Sequence, residues 1–328
     1  MTEQRNLTMA EAIREAMSIE MRSNPKVFLA GEDIGVLGGA FGVTKGMIDE
    51  FGSDRIFNTP ISETAIVGMG VGAAAAGYRP IVELMYNDFF GIAMDEIANQ
   101  AAKMRYMFGG KAKVPMVLRA ACGAGVQGAG HHSQSLEAWV THIPGLKVVM
   151  PSNSYDAKGL MTSSILDDNP IIFLEHKMLY SVKGNCPEER YTTPLGEAKI
   201  MIEGKDITII AWSLMANRAL KAADLLSKNN ISAEVIDIRT LVPLDEKTIL
   251  DSVKKTGRVI IVQEAYRTSG FAAEISAIIS EKAFSYLKSP IVRVTAPNTT
   301  IPLSPILENE FMPSPEKIVE SAVKLINV

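Results

Sequence analysis

The chain has two cysteines in 328 residues, Cys122 and Cys186, too few for a disulfide framework. No apolar run approaches the roughly 18 residues that span a bilayer. The opening residues MTEQRNLT lack the apolar centre of a secretion signal. These absences favour a soluble protein of the reducing cytoplasm, away from membranes. A formal charge of −4, with Lys and Arg interspersed among Asp and Glu, leaves no basic stripe for nucleic acid. Missing too are the G-x-S-x-G elbow of serine hydrolases and the G-x-x-x-x-G-K-[ST] phosphate loop. Cys122, His131 and His132 lack the C-x-x-C or i,i+4 spacing typical of zinc sites.

What is present is a globular composition, 47% hydrophobic and 21% charged, in a chain long enough for two cores. One stretch stands out: residues 119–152, in which Gly123, Gly125, Gly128 and Gly130 precede His131 and His132, with His142 following. Glycines let the backbone reach φ > 0 and approach a ligand closely, so the loop is a candidate binding loop. The plainer alternative is a tight connection whose histidines only pack.

Elsewhere, short apolar segments alternate with helical patterns. Thr8 and Glu11 have capping-box spacing before a helix over 9–22. Strands are predicted at 27–30, 54–58, 80–86, 114–119, 146–151 and 170–176, and again at 206–212, 233–238, 258–264 and 291–296, with helices between. This alternation predicts an α/β protein of two domains, each a mostly parallel sheet flanked by helices. The boundaries read as 1–185 and 205–328, with a polar, proline-containing linker over 186–204. Within the helix predicted at 63–77, GMGVGA (68–73) matches the dinucleotide pattern G-x-G-x-x-A. The match is mid-helix rather than at a strand-to-helix turn, so close helix packing is its better explanation.

Six separated blocks, GEDIG (31–35), TPISE (59–63), NQAAKMRYM (99–107), HSQSLEAW (132–139), HIPGLKVV (142–149) and IDIRTLVPLD (236–245), resemble the β subunit of the thiamin-diphosphate-dependent first component of 2-oxo acid and acetoin dehydrogenase complexes. The resemblance spans Leu7 to Ile326. It implies a transketolase-like pyrimidine-binding domain followed by a transketolase C-terminal domain. GGAFGVTKG (38–46) and RAACGAG (119–125) lean toward acetoin-type chains, with pyruvate and branched-chain 2-oxo acids as alternatives.

The resemblance also implies roles. Glu63 would hydrogen-bond the cofactor's aminopyrimidine, Ile61, Met85 and Phe89 would pack on it, and His132 would act on the substrate or the lipoyl group. His131 stands where relatives usually have Gln. Met116 (through its backbone), Ser164, Asp167 and Asn169 would hold a structural cation such as K⁺. The diphosphate and its Mg²⁺ would belong to an α subunit carrying Gly-Asp-Gly, a tripeptide this chain lacks. The implied assembly has two α and two β subunits and hands its acyl unit to a lipoyl-bearing acyltransferase. Two other classes compete: a noncatalytic subunit that docks the acyltransferase, and a self-sufficient transketolase-like enzyme. Each residue also has an ordinary structural reading. Glu63 would favour a helix start, the apolar residues would fill core, and residues 167–170 would form a turn.

Overall fold

The structure, a computed structural model, describes residues 5–327. The chain separates into two compact units, one running through Cys122 and from Trp139 to Leu195, the other comprising Gly123–Ala138 and Gly196 onward.

In the first unit the elements are β1 (Asn6–Thr8), α1 (Met9–Ser23), β2 (Val27–Gly31), α2 (Met47–Phe51), β3 (Ile56–Asn58), α3 (Glu63–Ala75), β4 (Arg79–Tyr86), α4 (Ala102–Met107), β5 (Val117–Cys122), the short α5 (Glu137–Thr141) that re-enters it, β6 (Lys147–Val149), α6 (Ser154–Leu166), β7 (Ile171–His176) and β8 (Lys183–Asn185). Its main sheet has the order β6-β7-β5-β4-β2-β3, and every pairing is parallel. Continuous apolar strands suit a sheet covered on both faces: all of β5 and β7 is buried. The capping box forms as predicted, with Thr8 Oγ1 accepting from the Glu11 amide and Glu11 accepting from the Thr8 amide at 2.8 Å. Met9, Ile13 and Met17, all fully buried, line the inner face of α1. A separate ribbon pairs β1 antiparallel with β8.

One helix expected over 93–108 is instead composite. A 3₁₀ turn at Asn87–Gly91 leads through a π-helical stretch at Glu96–Ala101 into α4. Apolar periodicity cannot distinguish these windings, and π segments gather near functional sites. Gly70 of α3 has the packing role read for it. An added Cβ would lie 2.7 Å from Met116 Sδ and 2.9 Å from Val82 Cγ1.

The second unit contains β9 (Lys199–Ile202), β10 (Ile207–Ala211), α7 (Ser213–Ser227), β11 (Ala233–Asp237), β12 (Thr240–Val242), α8 (Glu246–Thr256), β13 (Val259–Tyr266), α9 (Phe271–Ala283), β14 (Val292–Ala296), α10 (Pro305–Phe311) and α11 (Pro315–Ile326). Its sheet runs β14-β13-β10-β11-β9, parallel except for β9, which pairs antiparallel with β11. The segment read as a linker over 186–204 is therefore structured. Its last part is an edge strand, and its first part stays with the first unit to Leu195. Edge position explains the difference, because three of the four β9 residues are exposed and its apolar run, Ile200–Ile202, is only three residues long. No helix among the described residues is long and apolar enough to cross a membrane.

Candidate active site

Ligand crevices in parallel sheets lie outside the C-terminal ends of the strands, where loops can differ without disturbing the core. In the first unit β2, β3 and β4 are neighbours, with Gly31 level with Asn58 on one side and Glu83 on the other. Gly31 is required by this crowding: a Cβ there would meet the Glu83 carbonyl oxygen at 2.9 Å. Glu32 leaves β2 directly, Thr59 leaves β3, and Asn87 leaves β4.

Each of these residues has an unsatisfied buried atom. Glu32 Oε1, Thr59 Oγ1 and both amide atoms of the fully buried Asn87 lack hydrogen-bond partners. Orphaned groups of this kind cost free energy, so their grouping at one strand edge is the mark of a site that takes a polar ligand.

Glu63 opens α3 at the same edge and is 6% exposed. The Ser62 side chain makes no capping bond there, leaving the acidic side chain to answer the helix dipole. Thr64, in the same turn, donates to the Ile92 carbonyl at 2.8 Å, which ties the start of α3 to the segment following the Asn87–Gly91 turn. Burial, and then the nearby charges of Glu63, Asp33 and Glu83, raise the pKa of Glu32 above its ordinary value. Glu32 thus holds a proton more readily than a free carboxyl, first because it is buried and then because Glu63 is close.

The segments after β2 and β4 also contribute an aromatic row. Phe89 meets Tyr86 edge-on at 5.9 Å, Tyr86 meets Phe41 at 6.0 Å, and Phe41 stacks on Tyr180 at 5.0 Å. Lys177 places its ammonium 5.3 Å from the Tyr86 ring centre. Met85 is half-buried at the end of β4, and Ile61 is 82% exposed two residues before Glu63. An exposed isoleucine, a buried carboxylate and an aromatic row fit a flat, partly apolar heterocycle with a hydrogen-bonding edge. An aminopyrimidine is such a group.

Beneath the edge lies a buried ion network that sequence inspection did not connect. Arg119 donates through Nε and Nη2 to the two Glu175 oxygens, both at 2.7 Å, and through Nη1 to Glu83, while the Tyr180 hydroxyl donates to Glu175 at 2.9 Å. Burial opposes the charge of Arg119, yet Glu175 and Glu83 hold it firmly protonated. For Glu83, burial outweighs Arg119 and raises its pKa. Its two partners come from β4 and β7, on either side of β5, so no local spacing could have revealed the network.

The residues that resemblance assigns to a cation lie at the other end of the strands. The Met116 carbonyl accepts from the Ile171 amide at 2.9 Å, and Ser164 donates to the Leu160 carbonyl at 2.7 Å. Asp167 pairs with Lys147 and accepts from the Asn169 side chain at 2.8 Å, while Arg105 donates to Asn169 at 2.6 Å. Burial works against ionised Asp167, but Lys147 and Asn169 keep its pKa below the ordinary value. The Asp167 and Asn169 oxygens are thereby matched to Lys147 and Arg105, and the set fits a further cation poorly.

In the second unit, His132 follows a 3₁₀ turn over Ala129–His131, half-buried, whereas His131 is exposed. The Gly123 amide donates to the Gln134 carbonyl at 3.0 Å and closes the neck of this loop. A Cβ at Gly128 would meet the His132 carbonyl oxygen at 2.9 Å, so the fold of the loop needs that glycine. Glu137, three residues beyond the neck, is buried, and its Oε1 accepts from the Trp212 indole at 3.4 Å. The resemblance placed it in a block without giving it a role.

Comparison with known proteins extends this geometry. Residues 5–183 match the model "Transketolase, pyrimidine binding domain", and residues 196–318 match "Transketolase, C-terminal domain". The acetoin:2,6-dichlorophenolindophenol oxidoreductase subunit beta of Bacillus subtilis is 48% identical over 98% of both chains. The chain belongs to the transketolase-like β-subunit family of acetoin and 2-oxo acid dehydrogenases. Its counterpart of that acetoin subunit in Cupriavidus necator is 49% identical over 98% of this chain and 97% of the other. The pyruvate dehydrogenase E1 component subunit beta of B. subtilis is 44% identical over 98% of both. Among solved structures, a split-gene transketolase described as an inactive beta4 tetramer superposes with a TM-score of 0.82 at 22% identity, covering 98% of this chain and 99% of that one. That likeness concerns the fold.

Proposed function

We propose that the chain is the β subunit of a thiamin-diphosphate-dependent dehydrogenase component that cleaves acetoin and passes the resulting two-carbon unit to a lipoyl group. The observation that carries this reading is buried Glu63 at the start of α3, close enough to Glu32 for its charge to help raise the Glu32 pKa. When bound, the cofactor supplies a ring that stabilises a carbanion next to the cleaved bond.

The chain's own residues hold and protonate. Glu63 would donate a hydrogen bond to the aminopyrimidine's ring nitrogen and share its proton there, while Ile61, Met85 and Phe89 would clamp the ring and exclude water. His132 supplies a proton and positive charge to the substrate oxygen or the lipoyl sulfur. Acetoin is favoured because the acetoin subunits cited share 48% and 49% identity against 44% for the B. subtilis pyruvate subunit. The working assembly has two α and two β subunits, with Mg²⁺ and the diphosphate held by α, and meets a lipoyl-bearing acyltransferase. Two buried, unbridged cysteines support a cytoplasmic setting. At the opposite strand ends, Lys147 pairs with Asp167 and Arg105 donates to the Asn169 amide oxygen, where the resemblance would place K⁺.

The test pairs the chain with its α partner and compares acetoin, pyruvate and a branched 2-oxo acid, using an artificial electron acceptor. Glu63→Gln keeps the volume but not the proton transfer, and should slow exchange of the cofactor's C2 proton by roughly 10²–10⁴. Unchanged exchange would reduce Glu63 to a helix-start residue, and a preference for pyruvate would move the substrate assignment.

A further inference from the structure

The loop that carries His132 is held by two buried carboxylates. Glu264 of β13, 6% exposed, accepts from the Ala124 amide at 2.6 Å. Glu308 of α10, 2% exposed, accepts from the Gly125 amide at 2.8 Å and from the Gln127 amide at 3.0 and 3.2 Å through its two oxygens. Fully buried Ala124 belongs to a cluster with Ala296, Ile301, Phe311 and Met312, so one limb of the loop is fixed in the second unit's core. The other limb, which carries His132, is guided at Gly130, where a Cβ would come within 2.7 Å of Thr300 Cγ2.

Between these anchors the backbone takes left-handed φ values of 101° at Gly125, 60° at Gln127 and 53° at Ala129. For Gln127 and Ala129 this is strained and persists only where surrounding bonds over-determine it. Amide groups of a left-handed segment converge on one point and form a concavity suited to an anion. Glu308 fills that concavity from within the chain. The ordering is consistent with α10 being pinned by Pro305 at its start and buried at Phe311.

We infer that Glu308, seconded by Glu264, is a positioning residue for His132: its carboxylate sets the path of residues 124–129, left-handed at Gly125, Gln127 and Ala129, and so the place of the imidazole. This deepens the proposed role of His132 and rests on it. A merely structural Glu308 would affect the melting of the second unit without a selective effect on turnover.

The experiment uses the assembled α/β enzyme. Glu308→Ala, Glu308→Gln, His132→Asn and the double variant Glu308→Ala with His132→Asn are compared by kcat, KM, thermal melting and amide exchange of the peptide covering 123–136. A misplaced group loses up to about 100-fold in rate. The expectation is a kcat drop of about 10- to 100-fold in Glu308→Ala, little change in KM and faster exchange confined to the loop. Glu308→Gln, which keeps one acceptor oxygen and the shape, should recover part of both. In the His132→Asn background the same alanine should cost little more. If Glu308→Ala or the milder Glu308→Gln loosens the loop while kcat stays at the parent value, or if loop exchange is unchanged, positioning is refuted. Full activity in His132→Asn would instead sink the underlying role of His132.

Discussion

Glu137 sits in the HSQSLEAW block yet touches the chemistry only through what it does to the fold. Burial, with a further contribution from the charge of Glu264, pushes its pKa up to about 7, against the opposing hydrogen bonds from its own backbone and Trp212. A carboxyl whose folded pKa is raised binds a proton in the folded chain that the unfolded chain has already lost. Its stabilising effect is complete below the unfolded value of 4.5 and is lost as pH rises to about 7. The loss is on the order of 3 kcal/mol. Glu137→Gln keeps an acceptor for Trp212 without the ionisation, so the fall in melting temperature between pH 5 and 8 should flatten and the variant should melt a few degrees higher at pH 8. Parallel melting curves of parent and variant across that range would show that Glu137 binds its proton no more tightly in the folded chain than in the unfolded one, against a raised pKa. At this scale legibility was uneven. Glu63 was readable because it begins a helix inside a distinctive block, whereas Glu32 was not singled out. Glu308 and Glu264 were not, because each works on backbone amides more than a hundred residues away and no spacing encodes such a pair.

Secondary elements were readable where burial imposes a period and unreadable where it does not. The β5 and β7 strands are buried throughout, mostly apolar, and fell within about three residues of their expected limits. Edge strand β9 and the π stretch over Glu96–Ala101 carry no such period and were read as linker and as plain helix, while the short α10 received no reading at all. The α3 helix shows both faces of the problem, for its glycines resemble a nucleotide loop until their packing is known. Gly70 is wedged against Met116 and Val82, whereas nothing lies within 4 Å of a Cβ built at Gly72. Gly70→Val should therefore destabilise by about 1–3 kcal/mol through overpacking. Gly72→Ala should instead stabilise by up to about 1 kcal/mol by restricting the unfolded chain and favouring the helix. Denaturant melts of the two variants decide it. Equal effects would mean that the glycines are kept for something other than contact across the helix.

For the whole molecule the sign of the charge at the crevice is the governing fact. The strand edge that bears Glu63 also carries Glu32 and Asp33, with Glu83 behind them, and their charges add to burial in raising Glu32. Such an edge suits a neutral aminopyrimidine and repels a diphosphate. No Gly-Asp-Gly segment occurs anywhere in the chain to bring a compensating metal. The isolated chain should therefore bind thiamin diphosphate at least ~100-fold more weakly than the assembled α/β enzyme, a difference of about 2.7 kcal/mol. Thiamin without its phosphates should lose much less between the two preparations, since only the charged tail depends on the partner. Calorimetric titration of both ligands, with and without Mg²⁺, separates the contributions. Tight, Mg²⁺-dependent binding of the diphosphate by the chain alone would mean that it holds a complete cofactor site of its own.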